Sequence, residues 1–117
     1  MKRDVMLFIG DILESIEAIE EFSKDINKEE LNSNRLKRNA IVREIEIIGE
    51  AVKNIPDNLK EKYPEIPWKK IAGLRDIIIH TYFNIDLDIT WEIIKKDIPI
   101  LEKQIRIIKE NIESSIW

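Results

Sequence analysis

"NRLKRNAIVREIEIIGEAVKNIP", residues 34–56, is the stretch whose reading decides the fold. Leu36, Ala40, Ile41, Ile45, Ile48 and Val52 recur at helical steps and leave a polar face opposite. That period marks an amphipathic α-helix buried along one stripe. The spacing predicts a helix from about Asn34 to Asn54, ending ahead of Pro56 because the residue before proline avoids helical geometry. Gly49 lies inside it, where glycine costs about 0.5–1 kcal/mol relative to alanine. A close helix crossing at Gly49 would offset that cost; a tolerated defect is the other reading.

Working outward, Val5, Phe8, Ile9, Ile12, Ile16 and Ile19 give a first helix from about Arg3 to Ser23. "KDINKEELNSN" then supplies turn and cap chemistry. On the C-terminal side, "PDNLKEKYPEIPW" reads as a connector with one short helical turn from Asp57 to Lys62. Pro67 suits a helix start, so a third helix is expected from about Trp68 to His80 or slightly beyond. "FNID" breaks it, Asp86 caps the next helix, and that last helix runs from about Leu87 to Ser115. Pro99 removes one of its hydrogen bonds and should kink or split it. The expectation is an all-α, antiparallel helical bundle of four to five helices, forming one domain over residues 1–117.

Composition narrows the function classes. Apolar residues make up 44% of 117 and charged residues 36%, which fits a globular chain rather than a disordered one. No apolar run approaches the ~18 residues of a membrane span. The first 22 residues are too acidic for a signal peptide, so a cytoplasmic location is expected. The chain has no cysteine and a single histidine, which excludes disulfides and a standard zinc site. Glu46 and Glu50 are four apart and could share a metal, but a solvated carboxylate face explains them more simply. No metal and no cofactor are expected. A net charge of −4 argues against a broadly basic nucleic-acid coat. Positive charge does collect locally, with Lys60, Lys62, Lys69, Lys70 and Arg75 against Glu61 and Glu65. A solvated mixed surface accounts for this patch equally well; if it does meet a nucleic acid such as RNA, Lys69 and Lys70, next to the motif, are the candidate contacts.

The chemistry-bearing stretch is "RDIIIHTY", residues 75–82. On a regular helix Ile71, Leu74, Ile77 and Ile78 would share the core-facing arc, and Asp76 and His80 would be neighbours four apart. Arg75 would lie on the order of 140° from His80. One copy would thus separate guanidinium from imidazole, whereas two copies about a two-fold axis could bring them together. Histidine titrates near pH ~6.5 and can move a proton at neutral pH. Arginine stays charged and grips phosphate oxygens through a planar fork. Asp76 could hold the imidazole in one tautomer. These groups suffice for metal-independent cleavage of a phosphodiester by an RNA 2′-hydroxyl. The residues alone also admit a plainer account, with a capping histidine, a surface ion pair at Asp76 and a core-edge tyrosine at Tyr82.

"RDIIIHTY" resembles the R-x4-H-x-Y signature of the HepT-like toxins, a branch of the HEPN superfamily. The likeness extends to "RLKRNAIVREIEIIGEAVKNIP", with its Gly-Glu-Ala step, and to "YPEIPWKKIAGLRDIIIHTYFNIDLDITWEIIKKDIPIL". It covers roughly residues 1–105. The resemblance implies a helical bundle forming a homodimer, with the motifs meeting at a cleft. It implies a metal-independent ribonuclease, the toxin of a type VII-like toxin–antitoxin module. The partner would be a minimal nucleotidyltransferase (MntA-like) antitoxin. By position, Arg75 would stabilise the phosphoryl transition state, His80 would transfer protons with Asp76 in support, and Tyr82 would be the hydroxyl modified by AMP. Some HEPN proteins bind or scaffold without cutting, and a non-catalytic module pairing with a nucleotidyltransferase is the alternative.

Overall fold

The isoleucine stripes read from the sequence become the core of an all-α chain. The computed structural model describes residues 2–79 and 85–115, and its elements run α1 (Lys2–Ser23), α2 (Lys28–Ser33), α3 (Arg35–Lys53), α4 (Asp57–Lys62), α5 (Trp68–Ala72), α6 (Leu74–Ile78), α7 (Leu87–Glu92), a π-helical turn (Ile93–Asp97) and α8 (Ile98–Glu113). No strand occurs among the described residues; Ile79 and Ile85 form a single isolated antiparallel bridge.

Helix α1 packs along α3 and α8, and the shared interface is almost entirely aliphatic. Ile9, Ile12, Ile16 and Ile19 of α1 meet Ile41, Ile45 and Ile48 of α3 and Ile98, Ile105 and Ile108 of α8, all without solvent exposure. Each such side chain contributes about 1.5–3 kcal/mol relative to an exposed one, so this seam dominates the stability. Leu36 departs from the expected stripe. It is 82% exposed, because its place in the sequence puts it about 180° around α3 from Ile45, on the side opposite buried Ile41, Ile48 and Val52.

The segment between α1 and α3 is more ordered than a turn. Asn27 and Glu30 form a reciprocal capping box that starts α2, with the Glu30 N–H donating to Asn27 Oδ1 at 2.8 Å and the Asn27 N–H donating to Glu30 Oε1 at 3.3 Å. One buried side chain, Leu31, anchors that helix. Asn34 then caps α3 by accepting from the Lys37 N–H at 3.0 Å.

The connector before α5 is held by Trp68, whose indole N–H donates to the carbonyls of Lys60 and Tyr63 at 3.2 and 3.1 Å. Asn111 of α8 in turn donates to the Tyr63 hydroxyl at 2.8 Å.

The expected third helix is broken in two. Gly73 separates α5 from α6, and the helical run ends at Ile78, because Ile79 is extended (φ −100°, ψ 109°) and pairs with Ile85. Ile71, Leu74 and Ile78 are buried as expected, but Ile77 is 38% exposed. Gly49 has the close crossing its position suggested. A Cβ there would lie 3.0 Å from the Ala72 carbonyl oxygen, so the α3 backbone runs directly against the end of α5.

The last helix begins as expected, with Asp86 accepting from the Ile89 N–H at 3.0 Å. The helical run then continues unbroken from Leu87 to Glu113, but a π turn closed by the Ile98 N–H on the Ile93 carbonyl interrupts the α pattern directly before Pro99. Such a bulge is a common way for a helix to absorb a proline's missing N–H.

Candidate functional site

A cleft of about 650 Å³ opens between α3 and the chain on either side of residues 80–84. Its apolar floor is Val42, Ile79, Ile85 and Leu87. One wall is the polar face of α3, where Arg35, Arg38, Asn39 and Arg43 follow at helical spacing, with Asn32 of α2 at the near end. Glu46 and Arg75 close the far end.

Arg75 is fixed by its ion pair with Glu46, Nε to Oε2 at 2.7 Å. The other oxygen of the same carboxylate takes Arg43 Nη1 at 2.5 Å. Glu46 thus links two guanidinium groups, one from its own helix and one from α6. This bridge depends on the Gly49 crossing one turn further along α3, which sets how near α5 and α6 approach. Asp76 stands outside it, with a side chain 84% exposed and Oδ1 at 3.8 Å from Arg75 Nη1, beyond hydrogen-bond reach. Arg75 also lines a second depression of about 260 Å³ on the other side of α6, together with Gly49, Glu50, Lys53 and Asp76. The guanidinium therefore forms the ridge between two concave surfaces.

At the opposite end Arg38 Nη1 donates to the Asn32 carbonyl at 2.5 Å, holding that side chain over the α2–α3 corner. Arg35 makes no side-chain hydrogen bond or ion pair among the described residues and stays exposed.

Of the remaining sequence candidates, the described ones, Lys69, Lys70 and Glu50, lie away from the cleft lining. His80 and Tyr82 lie outside the described residues, although Ile79 and Ile85, which bracket them, both line the cleft. The neighbour relation expected for Asp76 and His80 falls on a residue outside the described ones; the helix that carries Asp76 ends at Ile78. Lys69 and Lys70 do not line the cleft; Lys70 instead pairs with Asp97 at 3.6 Å beside the π turn. Glu46 and Glu50 do not converge on a common point, since Glu50 pairs with Lys53 at 3.1 Å while Glu46 holds the two arginines. Among the described residues no group of three metal-ligating side chains gathers.

Sequence reasoning missed the α3 arginines because it followed the lysine-rich stretch before the motif. The available signal was segregation by residue type. Of the chain's six arginines (3, 35, 38, 43, 75 and 106) four line this cleft, and none of its thirteen lysines does.

Comparison with known proteins sets the cleft in a family context. Residues 12–108 match the family described as ribonuclease HepT-like. The chain belongs to the HepT-like family. A gamma-glutamylcyclotransferase and candidate RNase of Methanocaldococcus jannaschii is 47% identical over 115 residues, covering 98% of this chain and 52% of that protein. The present chain thus spans about half the length of that relative. A candidate RNase of the same organism is 47% identical over 107 residues, covering 92% of this chain and 98% of its own. A protein of Thermococcus cleftensis named probable ribonuclease HepT is 45% identical over 102 residues, covering 87% and 93% respectively. No solved structure gives a significant match. As a HepT-like chain, the protein has its motif arginine at the far end of a cleft walled by three further arginines. None of its described helices is long and apolar enough to cross a membrane.

Proposed function

We propose that this HepT-like chain is an endoribonuclease that cleaves RNA without a metal, using the cleft that ends at Arg75. The observation carrying this reading is the placement of the motif arginine, oriented by Glu46, in a cleft lined by four guanidinium groups and one carboxylate. Such a surface suits a polyanion far better than it suits a neutral or cationic ligand.

In the mechanism, Arg75 presents its Nη edge to a non-bridging phosphate oxygen while Glu46 holds Nε. Fixed positive charge there stabilises the extra negative charge of the pentacoordinate phosphorane. The RNA 2′-hydroxyl attacks the adjacent phosphorus, a P–O bond to the 5′-oxygen breaks, and a 2′,3′-cyclic phosphate remains. His80 serves in proton transfer, taking the 2′-hydroxyl proton or supplying one to the departing 5′-oxygen. Asp76 supports the imidazolium electrostatically. The nucleophile comes from the substrate, so no step requires a bound metal.

The same reading places the chain as the toxin of a toxin–antitoxin module in the cytoplasm. It works as a homodimer in which the two motifs face one cleft, and pairing would cover Leu36 and Ile77, both exposed beside cleft residues. Its partner is a minimal nucleotidyltransferase antitoxin that adds AMP to Tyr82 and blocks RNA entry by charge and bulk.

The test is incubation of total RNA in EDTA with wild type, Arg75→Ala and His80→Ala. Cleavage by wild type and its loss in both variants is the expected result. Equal cleavage by all three, or none by the folded wild type, would overturn the reading. Partner binding that persists in both variants with RNA untouched would instead identify a non-catalytic module.

A further inference from the structure

We propose that Arg35, Arg38 and Arg43 form a phosphate-binding rail that holds the RNA backbone beside the bond broken at Arg75. The proposal rests on the ribonuclease reading for its substrate, but it concerns binding rather than the chemical step.

The three side chains border the cleft from a single helix, Arg38 and Arg43 at its two edges on the order of 140° apart around the axis and Arg35 between them, with a rise of about 12 Å from first to last. They point into the same cleft as Arg75, so the rail leads toward the proposed reaction centre. Charge is concentrated there against the trend of the molecule. Four guanidinium groups and one carboxylate line the cleft, while the whole chain carries −4.

The choice of cation is the sharper observation. In a chain with thirteen lysines and six arginines, a merely solvated basic surface would be mostly lysine. Among the described residues this one is entirely arginine, the side chain whose planar fork matches two phosphate oxygens at once. Lysines sit elsewhere on the surface and pair with neighbouring carboxylates, as Lys24 does with Glu21 and Lys53 with Glu50.

The three arginines are also available. Arg35 has no side-chain partner among the described residues. Arg38 uses one Nη on the Asn32 carbonyl, and Arg43 uses one on Glu46, and each guanidinium carries five N–H donors. Those two anchors orient the forks without saturating them. The floor of Val42, Ile79, Ile85 and Leu87 gives the ribose and base an apolar surface while the phosphates face α3. Mononucleotides share this chemistry, but a rail of three cations along about 12 Å suits successive phosphates of a strand rather than a single one.

Binding of a fully 2′-O-methylated RNA oligonucleotide, which cannot be cleaved by its own 2′-oxygen, is measured by fluorescence anisotropy across a series of KCl concentrations. AMP serves as competitor. Arg35→Gln, Arg38→Gln and the double variant are compared with wild type and with Lys24→Gln, a surface change in the turn after α1. Each single variant should weaken binding several-fold and lower the slope of log K against log salt by about 0.7, and the double variant by about 1.4. Lys24→Gln should match wild type, and AMP should compete only weakly. In cleavage assays the arginine variants should raise KM far more than they lower kcat. Arg35→Gln breaks no side-chain bond among the described residues, and circular dichroism checks that the variant is folded. Salt slopes equal to that of Lys24→Gln, or complete displacement of the RNA by stoichiometric AMP, would overturn the rail. Salt-sensitive binding through these arginines in a protein that cuts no RNA would uphold the rail while ending the ribonuclease reading.

Discussion

Replacing Gly49 by alanine tests whether the α3–α5 crossing is as tight as the geometry requires, and Gly10 provides its internal control. Both glycines lie inside helices, so alanine should gain about 0.5–1 kcal/mol at each from reduced backbone entropy. At Gly10 a new Cβ meets nothing within 4 Å, and that gain should appear in full. At Gly49 the new Cβ lies 3.0 Å from the Ala72 carbonyl oxygen, 3.5 Å from that of Ile71 and 3.6 Å from the Ala72 carbonyl carbon. All three contacts are backbone, so relief requires moving α5 rather than turning a side chain. Overpacking of this kind costs about 1–3 kcal/mol. Propensity cancels in the difference between the two variants, leaving Gly49→Ala less stable than Gly10→Ala by about 1–3 kcal/mol. With about 4 °C per kcal/mol for a chain of this size, their melting midpoints should differ by about 4–12 °C. Urea denaturation followed by circular dichroism measures the difference, with equal m-values confirming that the unfolded states match. Gly49→Ala should also lose activity while folded, because displacing α5 carries α6 and Arg75 away from Glu46. Equal stabilisation by both alanines would refute the crossing argument.

Three further outcomes follow from the same contacts. Glu46→Gln removes the charge joining Arg43 and Arg75, so kcat should fall on the order of tenfold while RNA binding tightens at low salt; an unaltered kcat would show that Arg75 needs no such support. Asn27→Ala should destabilise the fold by about 1 kcal/mol through loss of the α2 cap, read as a lower melting temperature, and a change near zero would mean the capping box is decorative. Glu20 is pushed above the ordinary carboxylate range, first by partial burial and then by the hydrogen bond and charge of Glu102. A raised folded-state pKa adds stability below the unfolded value, and that stability disappears as pH rises through the folded value. Glu20→Gln should therefore raise the melting temperature slightly at pH 7, by less than about 1 kcal/mol in stability, with the advantage gone near pH 4; an advantage that grew on acidification would contradict the sign.

The parts of the fold legible in sequence are those where one long apolar stripe meets one long partner. Helices α1 and α3 fall within a residue or two of their expected ends because many isoleucines repeat the same 3.6-residue signal and asparagines cap α3. Helix α2 escaped notice because a six-residue helix with one buried leucine has no period to read; only the Asn27–Glu30 cap betrayed it. The break at Gly73 and the early end of the motif helix arise from the crossing with α3 and the Ile79–Ile85 bridge, which are tertiary events without a local signature. Leu36 was read as part of the α3 stripe yet stays exposed, because at about 100° per residue it falls on the side of the helix opposite Ile45.

At the site, Arg75 was legible from its motif. Its tether to Glu46 was not, since the two residues are 29 positions apart and belong to different helices. The α3 arginines were visible in composition all along, but their meaning depends on the cleft they face.

Chemical analysis of the RNA ends left by the purified protein in EDTA probes the proposed reaction most closely. Arg75-assisted attack by the 2′-hydroxyl predicts 2′,3′-cyclic phosphate and 5′-hydroxyl termini, absent from digests with Arg75→Ala. Products ending in 3′-hydroxyl and 5′-phosphate, or cyclic phosphates formed equally well without Arg75, would contradict it.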